Sequence, residues 1–240
     1  VYAGKGNDKI TVTGSADYNV VIEGGEDSDE IDLKGLSLTG GAYAVALGGA
    51  GNDYILGVDD GVNFLFGENA RIVLSEDKKK VLLAENYPEL SSAGNNVIVG
   101  GKGYNYIFGG LGDDYIVGGA NASENYIFGD FGHLEFDALG NLNKIARTDL
   151  FDEGGDDTIF GSNVKDHIYG GAGTDSIDGR QGDDEIHAGK GNDVVYGGSG
   201  SDVIYGDDGV DVIFGDSVNS VNSVNSGTVI AEENNMTTAA

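Results

Sequence analysis

From Asp152 to Phe214 the chain counts in nines. Seven consecutive blocks read DEGGDDTIF, GSNVKDHIY, GGAGTDSID, GRQGDDEIH, AGKGNDVVY, GGSGSDVIY and GDDGVDVIF. Position six is always Asp: Asp157, Asp166, Asp175, Asp184, Asp193, Asp202 and Asp211. Position eight is always branched aliphatic: Ile159, Ile168, Ile177, Ile186, Val195, Ile204 and Ile213. Nine is not a helical period, and each Gly would cost a helix roughly 0.8–1.0 kcal/mol. The last three residues of a block, such as Val203-Ile204-Tyr205, are strand formers. The first six are Gly, Asp, Asn and Ser, which suit positive φ and tight turns. Each block is therefore a turn of six followed by a strand of three. Alternation sends position eight inward and positions seven and nine outward. Two blocks close one coil, and stacked coils give an all-β, right-handed parallel β-roll.

Composition limits the other readings. A chain of 240 residues with 43 Gly, 41 acidic and 13 basic residues invites a disordered reading, but the regular Tyr, Phe, Ile and Val argue against it. A net charge of −28 excludes unaided nucleic-acid binding. The basic run Lys78-Lys79-Lys80 reads as a solvated hairpin tip. There is no Cys, hence no disulfide framework and no thiolate metal site. No apolar stretch is long enough for a membrane-spanning helix. Val1-Tyr2 reads as the end of a strand, with no signal peptide before it, as expected of a piece of a longer protein.

Four blocks match the pattern GGxGxDxUx, where U is aliphatic, at its Gly and Asp positions: GGAGNDYIL (48–56), GGLGDDYIV (109–117), GGAGTDSID (170–178) and GGSGSDVIY (197–205). AGKGNDKIT (3–11) and AGKGNDVVY (188–196) differ at the first Gly. In these repeats the chain resembles the RTX, or hemolysin-type calcium-binding, proteins. Blocks n and n+2 share one side of a roll, so their position-six carboxylates stack at about 4.8 Å. One column holds Asp157, Asp175, Asp193 and Asp211; the other holds Asp166, Asp184 and Asp202. Bare, such a pair repels by roughly 3 kcal/mol at an effective dielectric of ~20. Calcium binds oxygen at about 2.3–2.6 Å, so one ion between two stacked oxygens matches the coil spacing.

The resemblance implies a ligand set: position-six carboxylates from both loops, carbonyls from positions two and four of one loop, and carbonyls from positions one and three of the loop two blocks later. Carried over, Glu153, Gly155 and Asp157 would meet Gly170, Ala172 and Asp175; Ser162, Val164 and Asp166 would meet Gly179, Gln181 and Asp184. Gly171, Gly173 and Asp175 would meet Ala188, Lys190 and Asp193; Arg180, Gly182 and Asp184 would meet Gly197, Ser199 and Asp202. Gly189, Gly191 and Asp193 would meet Gly206, Asp208 and Asp211. At least five calcium ions are implied, with the site around Asp166 the weakest. Asp8, Asp53 and Asp114 hold the same position in earlier blocks. Two aliphatic side chains per coil give a thin interior against the entropy of ordering a whole coil. Folding is therefore expected to need calcium.

The count breaks in the first two thirds. Blocks 91–99 and 100–108 carry Asn96 and Asn105 at position six, and 118–128 carries Asn125. A neutral Asn ladder can hydrogen-bond without a cation, so fewer or weaker ions are expected there. A longer repeat is also visible: Phe66-Gly67-Glu68, Phe128-Gly129-Asp130 and Phe214-Gly215-Asp216 each end a strand in Phe-Gly and an acid. After the first two, alternating segments around 71–83 and 133–146 read as β-hairpins that leave the roll and cover its side. Six segments result: a degenerate N-terminal roll (1–66), a hairpin insertion (67–90), Asn-type coils (91–128), a second hairpin insertion (129–151), the regular roll (152–214) and a polar, flexible tail (215–240).

Catalytic signatures are missing. His133, His167 and His187 show no zinc spacing, and His167 and His187 fall on outward, exposed positions. No GxSxG elbow occurs, and the carboxylates belong to the repeat register. The outward Tyr169, Tyr196, Tyr205, Phe160 and Phe214 are expected to pack on neighbouring coils rather than on sugars. The expected function is that of a non-enzymatic, calcium-binding segment of a secreted or cell-surface bacterial protein, exported by type I secretion and folded outside the cell. The alternative is an accessory module of a secreted protease, lipase or epimerase. Calcium is the expected partner, with self-association through an open coil edge and glycans as further candidates.

Overall fold

The computed structural model describes residues 1–86, 93–147, 153–215, 221–223, 229–232 and 235–238. Its regular elements are all strands, and no helix among the described residues is long and apolar enough to cross a membrane. Two sheets of eleven strands face each other. The first runs through Tyr2–Lys5, Val20–Glu26, Tyr43–Ala50, Val62–Phe66, Tyr104–Phe108, Glu124–Phe128, Asp166–Ala172, Glu185–Gly191 and Val203–Tyr205, all parallel. The second runs through Lys9–Thr11, Glu30–Asp32, Tyr54–Leu56, Val97–Val99, Tyr115–Val117, Thr158–Ser162, Ser176–Arg180, Val194–Tyr196 and Val212–Gly215, also parallel. The chain alternates between them, strand by strand, which makes a parallel β-roll.

Position eight makes the core. Ile31, Ile55, Ile98, Ile116, Ile159, Ile177, Val195 and Ile213 form one fully buried ladder across the second sheet. Leu65, Ile107, Ile127, Ile168, Ile186 and Ile204 form the facing ladder. Because one aliphatic side chain follows the next at the same register, the interior is a two-column stack of uniform width.

The outward face of the first sheet is a second core. Phe64, Tyr106, Tyr126 and His167 stack ring on ring, with centroids 4.8, 5.3 and 4.6 Å apart. Beside them run Phe66, Phe108, Phe128, Tyr169, His187 and Tyr205, with centroids 4.6, 4.9, 4.9, 5.3 and 4.3 Å apart. On the second sheet Tyr196 stacks on Phe214 at 4.5 Å. These rings pack on neighbouring coils. His167 departs from the sequence expectation: it is buried, because the register lays its imidazole on Tyr126 and between Glu124 and Glu185. His187 is likewise drawn between Tyr169 and Tyr205.

The two insertions do not project separately. Arg71–Leu74 and Val81–Glu85 form the first hairpin, Gly132–Phe136 and Leu142–Arg147 the second, and Leu83, Ala84 and Glu85 pair with Glu135, Leu134 and His133 to give one four-stranded antiparallel sheet. Leu134, Phe136, Val81 and Ala84 close over the aromatic ladders. Buried Glu85 meets Arg71 at 3.0 Å and His133 at 2.5 Å, fixing the join between hairpins. Lys78, Lys79 and Lys80 lie exposed at the first hairpin tip. The segment expected as a polar, flexible tail instead contributes Val221–Ser223, Val229–Glu232 and Asn235–Thr238 to the sheets; its remaining residues from 216 onward lie outside the described ones, as does part of each insertion.

Leu134 is completely buried between the hairpin sheet and the aromatic face. Leu134→Ala is expected to cost about 2–5 kcal/mol. A denaturant titration of the calcium-loaded chain, followed by near-ultraviolet dichroism, should show an earlier loss of the aromatic signal.

Candidate metal centre

The loops between strands are shaped by glycines at fixed positions. Gly171, Gly173, Gly182, Gly189, Gly191 and Gly209 all have φ between 113° and 146°. A Cβ on Gly173 would run into the carbonyl oxygen of Gly155, one on Gly191 into that of Gly173, and one on Gly189 into that of Gly171. Position-two and position-four carbonyls are thus turned along the roll axis toward the next coil, and only glycine leaves room for them. At position one, a Cβ on Gly170 would meet the carbonyl of Ala188 and Oδ2 of Asp175; a Cβ on Gly179 would meet the carbonyl of Gly197 and Oδ2 of Asp184. Carbonyl and carboxylate oxygens therefore converge beside the first glycine of each loop.

The position-six carboxylates form a line, interrupted at Asn96. Each Oδ1 accepts the backbone N–H of the corresponding residue one coil earlier: Asp8 donates to Asp29 at 2.7 Å, Asp29 to Asp53 at 2.7 Å, Asp114 to Asp157 at 2.8 Å, Asp157 to Asp175 at 2.9 Å, Asp175 to Asp193 at 2.8 Å and Asp193 to Asp211 at 3.1 Å. In the other column Asp166 donates to Asp184 at 2.8 Å and Asp184 to Asp202 at 3.1 Å. These bonds fix the direction of every carboxylate. The second oxygen is then turned inward: Oδ2 of Asp29, Asp53, Asp114, Asp157, Asp175, Asp184 and Asp193 is buried without a hydrogen-bond partner.

An ionised oxygen in that position is expensive. Burial pushes the carboxyl of Asp175 up to about 8, with the Asp193 charge adding to it. Burial likewise raises Asp184 to about 8, Asp193 to about 7 and Asp53 to about 6. Asp157 rises well above the usual carboxylate range through burial and the charges of Asp130, Asp114 and Asp175. Opposite charge is what the columns lack, and a cation beside the inward oxygens supplies it.

The Asn coils solve the same problem without charge. Asn63 Nδ2 donates to Asn105 Oδ1 at 2.9 Å, Asn105 to Asn125 at 2.7 Å, and Asn125 to Asp166 Oδ1 at 2.6 Å. Asp166 is a boundary residue. Its Oδ2 accepts the N–H of Ser162 at 2.6 Å, and its Oδ1 also accepts the Ser162 hydroxyl at 3.1 Å. With both oxygens engaged inside the chain, Asp166 has less to offer an ion than Asp184 or Asp175.

Sequence spacing misplaced one loop. Glu153 was expected at position two of the Asp157 loop, but it is exposed. Gly129 holds position one instead, because its Cβ would meet Oδ2 of Asp157 and the carbonyl of Gly170, as that of Gly170 meets Asp175 and Ala188. Asp130 follows it at position two, and its carboxylate accepts the N–H of Gly155 at 3.1 Å and of Ala172 at 2.6 Å. Gly67 and Glu68 open the Asn96 loop in the same way: a Cβ on Gly67 would meet Asn96 and the carbonyl of Gly109. The hairpins are thus inserted inside loops, after Glu68 and after Asp130 rather than from 67 and 129. The repeated Phe-Gly-acid was the signal for it. Asp29, which falls in the same carboxylate line, sits in a block whose fourth residue is Asp27, a non-glycine at φ 77°.

Among the described residues no three His, Asp or Glu side chains are grouped so as to hold a metal ion among them. The donors are instead pairs of carboxylates with turned carbonyls, all oxygen, which is calcium chemistry rather than that of zinc. The residues present fit the ion. Asp175 with Asp193, Asp157 with Asp175, Asp193 with Asp211, and Asp184 with Asp202 would supply the charge; Gly155, Gly170, Gly171, Ala172, Gly173, Gly182, Ala188, Gly189, Lys190, Gly191, Gly197, Ser199, Gly206 and Asp208 lie along the same loops to supply carbonyls. Comparison with known families agrees: the RTX calcium-binding nonapeptide repeat matches in four copies over residues 91–123, 151–186 and 187–221. No curated protein matches the chain. The nonapeptide count, the parallel roll and the buried carboxylate line agree with that match: residues 91–123, 151–186 and 187–221 carry RTX calcium-binding nonapeptide repeats.

Proposed function

We propose that this segment is a calcium-dependent structural module of a secreted or cell-surface bacterial protein, unfolded until it meets calcium outside the cell, and not itself catalytic. The observation that carries the reading is the line of buried Oδ2 atoms without hydrogen-bond partners. Such a line is unfavourable in a calcium-poor cytosol and satisfied where calcium is plentiful. Sites of this open, carbonyl-rich kind belong with extracellular modules that bind at about 10⁻⁴–10⁻³ M. Calcium thereby acts as the folding signal.

Far-ultraviolet dichroism in EGTA at mildly alkaline pH should show a largely unfolded chain, and millimolar calcium should restore the β signal. An unchanged β spectrum in EGTA would contradict the reading.

The metal-free chain should respond to pH in a defined direction. The folded-state pKa values of Asp53, Asp193, Asp175 and Asp114, about 6, 7, 8 and 9, all lie above the ordinary 3.8, chiefly through burial. The folded state therefore holds more protons than the unfolded one. Its stability is fully present below about pH 4 and lost as pH rises through 6 to 9. The far-ultraviolet β signal in EGTA should therefore be strongest near pH 4 and disappear across that window, and saturating calcium should restore it. A metal-free β signal that grows with pH would contradict the assignment.

Asp193 lies between Asp175 and Asp211 and would serve the ions on both sides. Asp193→Asn should reduce the calcium stoichiometry measured by titration calorimetry by one or two ions. An unchanged stoichiometry would remove Asp193 from the ligand set.

A further inference from the structure

The Asn96 loop breaks the carboxylate line. Asn96 takes the place of an Asp, accepting the N–H of Asp53 at 2.9 Å and donating its own N–H to Asp114 Oδ1 at 2.7 Å. Read from the repeat pattern alone, this loop has lost the charge that an ion shared with the Asp114 loop needs. Position two of the same loop, however, is Glu68, where the GGxGxD pattern has glycine, and Glu68 is completely buried. Its carboxyl carbon lies 2.7 Å from where a Cβ on Gly110 would sit. The inward Oδ2 of Asp114 and the carbonyl of Gly129 lie against the neighbouring Gly109. Two carboxylates and a carbonyl therefore crowd over the dipeptide Gly109-Gly110, and the Asp114 oxygen among them is buried without a hydrogen-bond partner.

We infer that Glu68 supplies the missing carboxylate, so that Glu68 and Asp114 hold a calcium-type divalent cation at the root of the first hairpin, in a loop where the nonapeptide pattern places none. The inference rests on the calcium reading above and extends it to a side chain at a position where the repeat offers only a carbonyl. The donors are hard oxygens, two of them charged, as such a cation requires. The glycine at 110 is part of the arrangement, since any side chain there would occupy the space of the Glu68 carboxylate. Asp130 holds position two of the other interrupted loop, where its two oxygens accept the N–H groups of Gly155 and Ala172. It closes its interrupted loop with hydrogen bonds. The electrostatics match this geometry. Burial first, and the charges of Glu68 and Asp130 after it, push the Asp114 carboxyl up to about 9.

The test is a calcium titration of the whole chain by calorimetry, with dichroism as the folding readout, for the wild type, Glu68→Gln and the double variant Glu68→Gln/Asn96→Asp. Glu68→Gln should bind one ion fewer, or bind one ion about tenfold more weakly. Asn96→Asp should restore that ion by returning the charge to the repeat's own position. Full stoichiometry and unchanged affinity in Glu68→Gln would overturn the inference while leaving the calcium reading intact. A wild type that binds no calcium would overturn both. If Glu68→Gln fails to fold in calcium, the double variant decides: recovery of folding and of the ion supports a charge-supplying role, and failure to recover refutes it.

Discussion

Like charges stacked at the spacing of β-strands govern this molecule. Parallel coils cannot approach more closely or stand farther apart than strand pairing allows, about 4.8 Å, so a block with Asp at its sixth position commits the chain to a file of carboxylates. Backbone N–H groups orient each of them through one oxygen and leave the other facing inward. The thin aliphatic interior does little to offset this, and something positive in the loops would. On the function proposed above, fold and ion binding are one property.

The two sides of the roll deal with this differently. One side keeps Asp through nearly its whole length, from Asp8 to Asp211, with Asn96 as the exception. The other changes from Asn to Asp at Asp166, and its Asn63–Asn105–Asn125 stretch is tied by side-chain amides. This amide-bonded stretch lies beneath the aromatic ladders and the four-stranded sheet. The middle of the roll thus has a ring-packed face and a neutral ladder where the C-terminal coils depend on charge. A ring-packed core and a stack of buried carboxylates meet within one continuous pair of sheets.

Much of this was legible in the residues. Ile or Val at position eight placed the core ladder, Asp at position six placed the carboxylate columns, and Asn105 and Asn125 announced the neutral ladder. What counting in nines could not show was a loop whose two halves are far apart in the chain. Asp53 reaches Asn96, and Asp114 reaches Asp157, each across 43 residues instead of the 18 of a regular coil. Contiguous blocks assigned Glu153 to a place that Asp130 occupies. The burial of His167 was hidden for a related reason. Outward on a bare strand means exposed, but the stacking of coils lays the ring on Tyr126 and between Glu124 and Glu185, and the neighbouring rings are roofed by insertions whose mutual pairing has no local sequence signal.

That roof has a mechanical consequence. The joined hairpins spring from two different coils, and Asn86 and Gly132 exchange hydrogen bonds where they meet, at 2.9 and 3.3 Å. Under tension along the chain, a plain roll would peel one coil at a time, like thread from a spool. Here the coils on either side of the join are stapled to each other, and unspooling from either end must shear a whole antiparallel sheet before it can pass the midpoint.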